Sequence, residues 1–298
     1  MIGHFISYIA IRWGVFLLRI TPFRLMYIIS DIFRFLIYNF IPYRKKVVIS
    51  NLKKSFPEKS DKEIQYLTKK FYLNFCDITL ETIKGFSMSK KQTLQRFKVL
   101  NPELADKYFE EGKDNIILAG HYCNWEWGIL ACDMQFKHTV AALYKKMSNP
   151  YAESYSKKKR SRFGGDLVTL EDSKEYFVAQ KEKPVGYIMA ADQNPSNPQK
   201  AVWVNFLNQE TGFLAGPEKY AATLNIPVIY YDVQRVKRGY YTLEVIDISE
   251  KPQKLERGIL TKIYADTLDK IIRKKPENWL WSHKRWKYEK PDSCSIVS

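Results

Sequence analysis

The chain has few of the residues that hold structural metals or disulfides. Its four cysteines form no Cys-x-x-Cys pair, and no second histidine lies at ligand spacing from His121. The other three histidines are His4, His138 and His283. In a chain of 298 residues this usage argues neither for a disulfide framework nor for zinc. We therefore expect reduced thiols and no metal.

Long uncharged apolar runs are also missing. Residues 5–41 are mostly Ile, Leu, Phe, Tyr and Val, but no stretch reaches 18 residues without a charge, so a spanning helix is disfavoured. The interrupting residues are Arg12, Arg19, Arg24, Asp31 and Arg34. No small-residue cleavage site follows a short apolar region, so a removed signal peptide is not expected. Pro22 divides the segment into two amphipathic helices, which we expect to lie in one leaflet as a membrane anchor. The alternative is a soluble helical subdomain packed on the core.

Acidic residues are in the minority. The 48 Lys and Arg against 32 Asp and Glu give a net charge of +16, which attracts nucleic acid, anionic lipid or an acidic protein. The 20 Tyr, 17 Phe and 7 Trp favour a membrane surface or an apolar ligand, although aromatic rings also stack on bases. The length favours one large domain with an appended element. We therefore divide the chain into an anchor, residues 1–41, and a folded domain, residues 42–298.

Strand and helix patterns alternate after residue 114. Strands are predicted at 115–119, 138–143, 166–170 and 185–190, with helices from about 125, at 149–163 and at 172–181. Further helices are predicted at 60–80, 89–97 and 255–274. This alternation indicates an α/β fold whose mainly parallel central sheet is flanked by helices. Two longer strands, 228–236 and 241–248, are expected to pair antiparallel and make the sheet mixed.

The segment from Gly120 to Glu126 has the clearest chemical signal. It follows the strand predicted at 115–119, so His121 lies where open α/β folds place their chemistry. Glu126 can fold back towards the imidazole, and a carboxylate on one ring nitrogen makes the other a better base. The segment contains no serine or threonine, and its only possible nucleophile is Cys123. The pair could deprotonate an alcohol; the alternative is a buried structural histidine beside a surface glutamate.

Other polar residues lie at predicted strand or helix ends. Arg162 lies between a helix and a strand, where it could simply cap the helix. Asp192 and Gln193 end a strand, with an Asx-turn as the alternative for Asp192. The segment 213–218 enters a helix whose free amides could bind an anion or a developing oxyanion. The segment 279–286 alternates aromatic and cationic side chains, which could also form a nucleic-acid stacking surface.

Taken in this order, these segments resemble the late acyltransferases of lipid A biosynthesis, the lauroyl/myristoyl transferase family, within the glycerolipid acyltransferase-like superfamily. The resemblance covers nearly the whole chain. The matching positions are Asn51-Leu52, Phe56-Pro57-Glu58, the His121…Glu126 signature, Arg162 in an arginine block, Asp192-Gln193 after a strand, and the aromatic and basic segment Trp279 to Lys287. The chain departs from many members in Cys123 and in Trp125-Glu126-Trp127.

The resemblance implies transfer of a fatty acyl group from an acyl carrier protein thioester to a hydroxyl of an anionic lipid A precursor. His121 would be the general base, oriented by Glu126. We expect the residues Asn124, Arg162, Asp192 and Gln193 to bind substrate, with Arg162 and Asp192 as a possible ion pair. No cofactor is implied beyond the acyl carrier protein as co-substrate, because a thioester is already activated. The partners would be the carrier protein, the glycolipid and a membrane surface, with no nucleic acid.

The implied location is the cytoplasmic face of a bacterial inner membrane, with the protein as a monomer. An alternative enzyme of the same superfamily would acylate a lysophospholipid or an aminolipid with the same histidine. An alternative of another class is a non-catalytic basic protein that binds membrane or nucleic acid. That class leaves the placement of His121 and Glu126 after a buried strand to chance.

Overall fold

The computed structural model describes residues 2–298 and has a mixed α/β fold, with a curled, mainly parallel central sheet flanked by helices. The strands are β1 (Phe97–Val99), β2 (Asn115–Ala119), β3 (Thr139–Tyr144), β4 (Asp166–Thr169), β5 (Val185–Ala190), β6 (Val202–Phe206), β7 (Gln209–Phe213), β8 (Val228–Lys237) and β9 (Tyr240–Ser249). The helices are α1 (Ile2–Ile20), α2 (Phe23–Asn39), α3 (Lys45–Ser55), α4 (Asp61–Gly85), α5 (Lys90–Arg96), α6 (Glu103–Glu110), α7 (Trp125–Cys132), α8 (Pro150–Arg160), α9 (Ser173–Val178), α10 (Gly216–Leu224) and α11 (Ile259–Lys274). Short 3₁₀ turns lie at Pro198–Lys200, Pro252–Lys254 and Pro276–Asn278.

The seven strands of the main sheet follow the order β1-β9-β8-β2-β5-β3-β4. Strands β8, β2, β5, β3 and β4 are parallel, whereas β9 pairs antiparallel with β8 and carries β1 at the edge. The alternation of predicted strands and helices after residue 114 is thus confirmed, as is the antiparallel pairing of the two longer strands. The bounds predicted for β2 and β5 match those observed.

The hairpin of β6 and β7 was not predicted and forms a separate two-stranded sheet. Leu207 and Asn208 join the two strands with φ angles of 50° and 62°. Two consecutive residues with positive φ are typical of the tight hairpin turns that match strand twist. Leu207 is an unusual residue for such a position, which explains why the turn is hard to see in the sequence.

Helix α4 forms the longest helical element. Its start was predicted from the sequence, because Ser60 and Glu63 make a reciprocal capping box. The helix extends to Gly85, five residues beyond the predicted end. Its neighbours include both amino-terminal helices, α3 and α7, so α4 lies between the start of the chain and the central sheet.

The two amino-terminal helices have an apolar outer side, and α2 also makes polar contacts on its inner side. On the inner side, Ser30 donates a 2.6 Å hydrogen bond to Asp77, and Arg238 pairs with Asp31 at 2.9 Å. On the outer side, 17 of the 26 exposed large hydrophobic side chains of the described chain lie between Phe5 and Tyr43. None of the helices within residues 2–298 is long and apolar enough to cross a membrane. The division of the chain at residue 41 remains a prediction.

Candidate active site

Two neighbouring parallel strands bring His121 and Asp192 together. Strands β2 and β5 pair in parallel, with Ala119 opposite Ala190 at their last residues. His121 and Asp192 each lie two residues beyond these partners. Because the carboxyl ends of paired parallel strands meet at one edge, the two side chains emerge side by side.

The carboxylate of Asp192 is fully used by hydrogen bonds. Its Oδ1 lies 2.6 Å from Nδ1 of His121, and its Oδ2 accepts the backbone N–H of His121 at 2.8 Å. The indole Nε1 of Trp279 donates to the same Oδ2 at 2.8 Å. Asp192 is 2% exposed, so these three contacts replace the water it has lost.

The pair shifts the pKa values of both partners in opposite directions. Burial by itself would raise the pKa of Asp192, but the charge of His121, its hydrogen bonds and that of Trp279 lower the pKa to about 2. Burial opposes protonation of His121, but Asp192 outweighs it and raises the pKa of the imidazole above its usual value. Asp192 therefore stays ionised and keeps the proton of neutral His121 on Nδ1.

The second ring nitrogen of His121 points away from Asp192. Its Nε2 lies 3.1 Å from the side-chain Nε2 of Gln193, and the ring meets Trp125 edge-on at a centroid distance of 5.1 Å. The His121 side chain remains 21% exposed. With the proton on Nδ1, the lone pair on Nε2 is available to accept a proton from an incoming group.

The carboxyl-terminal segment fixes the turn that contains His121. Tyr122 forms an isolated bridge with Trp279, and the backbone N–H of Leu280 donates to the carbonyl of His121 at 3.1 Å. The N–H of Cys123 donates to the carbonyl of Asn278 at 2.9 Å. Trp279 is 3% exposed, so this part of the carboxyl-terminal segment lies in the interior of the site. The nucleic-acid surface considered for the segment 279–286 is therefore wrong for Trp279, which serves as a donor to Asp192.

Glu126 has a different partner from the one expected. Its carboxylate pairs with Arg160, with Nε and Oε2 2.9 Å apart and a second contact of 3.2 Å from Nη2 to Oε1. The geometry corrects the expectation that Glu126 orients His121, because Asp192 occupies Nδ1. Glu126 acts on His121 through its charge, which adds to the rise in the pKa of the imidazole.

Asn124 and Arg162 are also engaged by contacts within the protein, and their role in binding substrate stays a prediction. Asn124 is fully buried; its Oδ1 caps α7 through the N–H of Trp127 at 3.0 Å, and its Nδ2 donates to Glu81 at 2.8 Å. Arg162 donates from Nη2 to the carbonyls of Gly85 and Met88 at 2.7 and 2.9 Å. Its guanidinium thus caps the end of α4 and forms no ion pair with Asp192, whose partners are His121 and Trp279.

An apolar groove lies beside His121. Its volume is about 320 Å³, and its walls come from one face of α4, from the start of α7 and from the carboxyl-terminal segment. The lining residues include Phe71, Phe75, Ile78, Ile83, Trp125, Glu126, Trp279 and Leu280. His121 and Asp192 do not line the groove themselves, but two of its lining residues touch them: Trp125 contacts the His121 ring and Trp279 donates to Asp192.

A larger cavity of about 630 Å³ lies at the start of α10 and is not lined by His121 or Asp192. Glu218 in the first turn of α10 accepts hydrogen bonds from the backbone N–H groups of Gly258 and Thr261, which caps α11. The segment 213–218 therefore does enter a helix, as predicted. Its proposed use as an oxyanion site remains a prediction.

The structure offers neither a reactive thiol nor a metal site near His121 in the part of the chain that it describes. Burial raises the pKa of the Cys123 thiol, which disfavours the thiolate that a nucleophile requires. Within residues 2–298 no group of three His, Cys, Asp or Glu side chains is placed to hold a metal ion. His283 accepts the backbone N–H of Asn194 at 3.2 Å, and burial lowers its pKa to about 4, so it stays neutral beside the site.

A comparison with protein families matches residues 2–288 to bacterial lipid A biosynthesis acyltransferase. No individual curated protein matches the chain significantly. The match covers nearly the full length, including the strands, helices and carboxyl-terminal segment that form the site. The chain thus belongs to the bacterial lipid A biosynthesis acyltransferase family and is an acyltransferase.

Proposed function

We propose that the enzyme transfers a fatty acyl group from an acyl carrier protein thioester to a hydroxyl of a lipid A precursor, as a late step of acylation. His121 is the general base, and Asp192 orients it. The observation that supports this proposal best is the 2.6 Å contact between Asp192 and Nδ1 of His121 beside an apolar groove. A base whose Nε2 carries a lone pair, with the proton held on Nδ1, suits an alcohol as the attacking group.

The reaction needs only proton transfers and an activated acyl donor. Nε2 of His121 takes the proton of the acceptor hydroxyl as its oxygen attacks the thioester carbonyl carbon. The tetrahedral intermediate then collapses, the carbon–sulfur bond breaks, and the imidazolium gives its proton to the leaving thiolate. Asp192 stabilises the imidazolium between these steps, and base catalysis of this kind contributes about 10²- to 10⁴-fold. The products are an ester and the free thiol of the carrier.

Gln193 is the polar side chain nearest to the reacting nitrogen. Its amide lies 3.1 Å from Nε2 of His121, in the position that an acceptor hydroxyl would take. When that hydroxyl binds, the amide can move to donate a hydrogen bond to the hydroxyl oxygen or to the developing oxyanion. Gln193 is therefore the residue that we propose for substrate binding.

The groove beside His121 suits the acyl chain. A chain of about twelve carbons hides nearly 10 kcal/mol of apolar surface from water, at roughly 0.8 kcal/mol per CH₂. Aliphatic and aromatic side chains supply most of the groove surface, and Glu126, paired with Arg160, is one of the polar residues in its wall. An acyl chain lying along α4 would put its carbonyl carbon next to His121.

The basic surface suits both proposed partners. The net charge of +16 attracts an acidic carrier protein and a phosphorylated glycolipid. Lys157, Lys158 and Lys159 lie in the last turn of α8, which packs against α1. Together with the exposed apolar side of α1 and α2, they favour a membrane surface as the place where the enzyme meets its acceptor. We propose the cytoplasmic face of the bacterial inner membrane, where both substrates are accessible.

Lipid A from cells with and without the gene tests the substrate. The proposal expects the deletion strain to lack one secondary acyl chain by mass spectrometry, and His121→Ala to leave that defect uncorrected. Purified His121→Ala should keep its melting temperature and lose at least about 10²-fold in turnover. Unchanged lipid A would favour the lysophospholipid or aminolipid alternative, and turnover above a tenth of the wild-type value would exclude His121 as base.

Vesicle flotation tests the amino-terminal anchor. Ile28→Glu together with Ile32→Glu changes two exposed side chains on the outer side of α2. Each isoleucine is worth about 1.5–3 kcal/mol when buried, so binding to anionic vesicles should weaken by at least tenfold. The matched control is Val178→Glu, which is at least as exposed but lies at the end of α9, a helix that packs against β4. Equal binding by the double variant and the control would contradict the in-plane anchor.

A further inference from the structure

One face of α4 carries buried polar residues that the reaction does not use. Asn74, Asp77 and Glu81 are spaced three and four residues apart, so they share one side of the helix. Asp77 and Glu81 are both completely buried. Asp77 is paired with Arg235 and Arg238, as expected for a buried charge. Glu81 forms no salt bridge with any residue of the described chain.

Glu81 instead accepts hydrogen bonds from three different parts of the fold. Tyr27 of α2 donates to Oε1 at 2.7 Å, and Asn124 and Tyr241 donate to Oε2 at 2.8 and 2.6 Å. The carbonyl of Glu81 also accepts the indole N–H of Trp127 at 2.8 Å. Burial raises the pKa of Glu81 in spite of these donors, so a carboxylate at this position is costly. An apolar residue would fill the space without that cost.

The contacts of Glu81 converge on the turn after His121. Asn124 lies three residues after His121, and its Oδ1 caps α7 while its Nδ2 donates to Glu81. Cys123, between them, has a φ of 53°, a conformation that non-glycine residues rarely adopt and that the surroundings must maintain. Trp125, the first residue of α7, packs against the His121 ring. A shift of Asn124 would therefore also move Trp125, the side chain that packs against the imidazole.

We propose that Glu81 is a positioning residue of the acyl transfer. By accepting a hydrogen bond from the side-chain amide of Asn124, Glu81 fixes the turn from His121 to Trp125. Glu81 does not touch substrate; it acts through Asn124 and α7 on the orientation of His121. The inference rests on the proposed function in one respect, namely that His121 is the general base. A misplacement of about 1 Å at a reacting group can cost on the order of 10²-fold in rate, so a fixed turn affects turnover more than substrate affinity.

An exchange of donor and acceptor tests this role. Asn124→Asp keeps the cap of α7, since aspartate is as good an N-cap as asparagine, but it places a second carboxylate against Glu81. Glu81→Gln keeps the size of the side chain and supplies an amide. The double variant Glu81→Gln, Asn124→Asp restores one donor and one acceptor with their positions reversed. Each single variant exchanges one polar atom, and the double variant exchanges two.

The expected result is a loss in kcat that the second change repairs. At pH 8, Asn124→Asp should lower kcat about 10- to 100-fold with the KM for the acyl donor within about threefold. Glu81→Gln alone and the double variant should both lie within about threefold of wild-type kcat. A melting curve for each variant, with assays well below the transition, separates this effect from unfolding. If Asn124→Asp does not fold, Asn124→Ser takes its place, because serine keeps the cap and lacks the amide.

Three outcomes would overturn the proposal: unchanged kcat in Asn124→Asp or its serine substitute with only a lower melting temperature, a double variant no better than Asn124→Asp, or a loss in Glu81→Gln as large as in Asn124→Asp. His121→Ala is assayed in parallel. If it stays active, the proposed base is wrong. If it is inactive and the exchange fails to restore kcat, only the role of Glu81 is wrong.

Discussion

Each of the two edges of the central sheet has an aspartate whose carboxyl oxygens are buried, and the two carboxyl groups have opposite properties. At the carboxyl edge, beyond β5, Asp192 is held by His121 and Trp279, and its pKa is lowered to about 2. At the amino edge, Asp133 lies between α7 and β3, against the backbone of Gly165 just before β4. Burial raises the pKa of Asp133 to about 7.

The difference comes from the partners and not from the burial. Burial opposes ionisation at both positions, but at Asp192 an imidazole, an indole N–H and a backbone N–H compensate for it. No side chain of the described residues donates to either oxygen of Asp133. A buried carboxyl group becomes a permanent charge only where the fold supplies donors, and here the fold supplies them at the edge that carries His121.

The largest effect is expected from removing the charge at the carboxyl edge. Asp192→Asn keeps the shape but no longer fixes the proton of His121 on Nδ1 or stabilises the imidazolium. Turnover should fall by about 10²- to 10⁴-fold, which steady-state assays of the purified enzyme would measure. A variant that retains wild-type turnover would show that the contact between Asp192 and His121 is not part of the reaction.

The pH profile of the same variant gives a second readout. His121 must be neutral to accept a proton, so wild-type kcat/KM should fall as the pH drops through the raised pKa of His121, above its usual value. Without the carboxylate, burial is the main influence and disfavours the imidazolium. The acidic limb of Asp192→Asn should therefore move to lower pH while its plateau falls. If the acidic limb of the variant stays at the wild-type pH, a group other than His121 controls the pH dependence.

A smaller effect, on stability, is expected from Arg162→Ala. Its guanidinium donates to the carbonyls of Gly85 and Met88, where α4 ends, and it does not reach Asp192. Hydrogen bonds to a charged group are worth about 1.5–3 kcal/mol, so the free energy of unfolding should fall by about that amount. Denaturant unfolding measures it, and turnover of the folded variant should change little. A large loss of turnover at unchanged stability would return Arg162 to the substrate site.

Glu126→Gln distinguishes the two carboxylates near His121. Glu126 pairs with Arg160 and influences the imidazole by charge alone, so turnover should fall by less than about tenfold. Loss of the charge also leaves Arg160 without its partner at the side of the groove, and a higher KM for the acyl donor should accompany it. Equal losses of turnover in Glu126→Gln and Asp192→Asn would mean that both carboxylates orient His121 during the reaction.

Local patterns predicted the mixed α/β fold and the places of His121 and Asp192, but not the contact between these two residues. The apolar runs of β2 and β5 are buried on both faces, so their ends could be located, and with them His121 and Asp192. The pairing of the two strands joins residues 71 positions apart, which no local spacing reports. Local spacing alone therefore indicates Glu126 as the partner of His121, because the two residues are five positions apart.

The remaining contacts of the site also depend on long-range packing. Trp279 reaches Asp192 across 87 positions, and the role of Arg162 depends on where α4 ends. The one signal in the sequence that could have identified Asp192 as the partner of His121 is its position relative to the strand before it. His121 and Asp192 both lie two residues beyond the end of a predicted buried strand, which is the arrangement expected if those strands are parallel neighbours.

The smallest effect on turnover is expected at the amino edge, from Asp133→Asn, whose effect is on stability. Because the pKa of Asp133 is raised to about 7 in the folded state, the folded protein binds more protons than the unfolded chain between about pH 4 and 7. The stability contributed by the protonated group is fully present below about pH 4 and is lost as the pH rises through about 7. Asparagine stays neutral, so the variant should match the wild type at about pH 4 and exceed it at pH 8 by roughly 4 kcal/mol, at about 1.4 kcal/mol for each unit of pKa shift. Urea unfolding of both proteins at the two pH values measures this difference. A variant that is less stable than the wild type at pH 8 would show that hydrogen bonds stabilise the Asp133 carboxylate. The two aspartates would then not differ in the way described above.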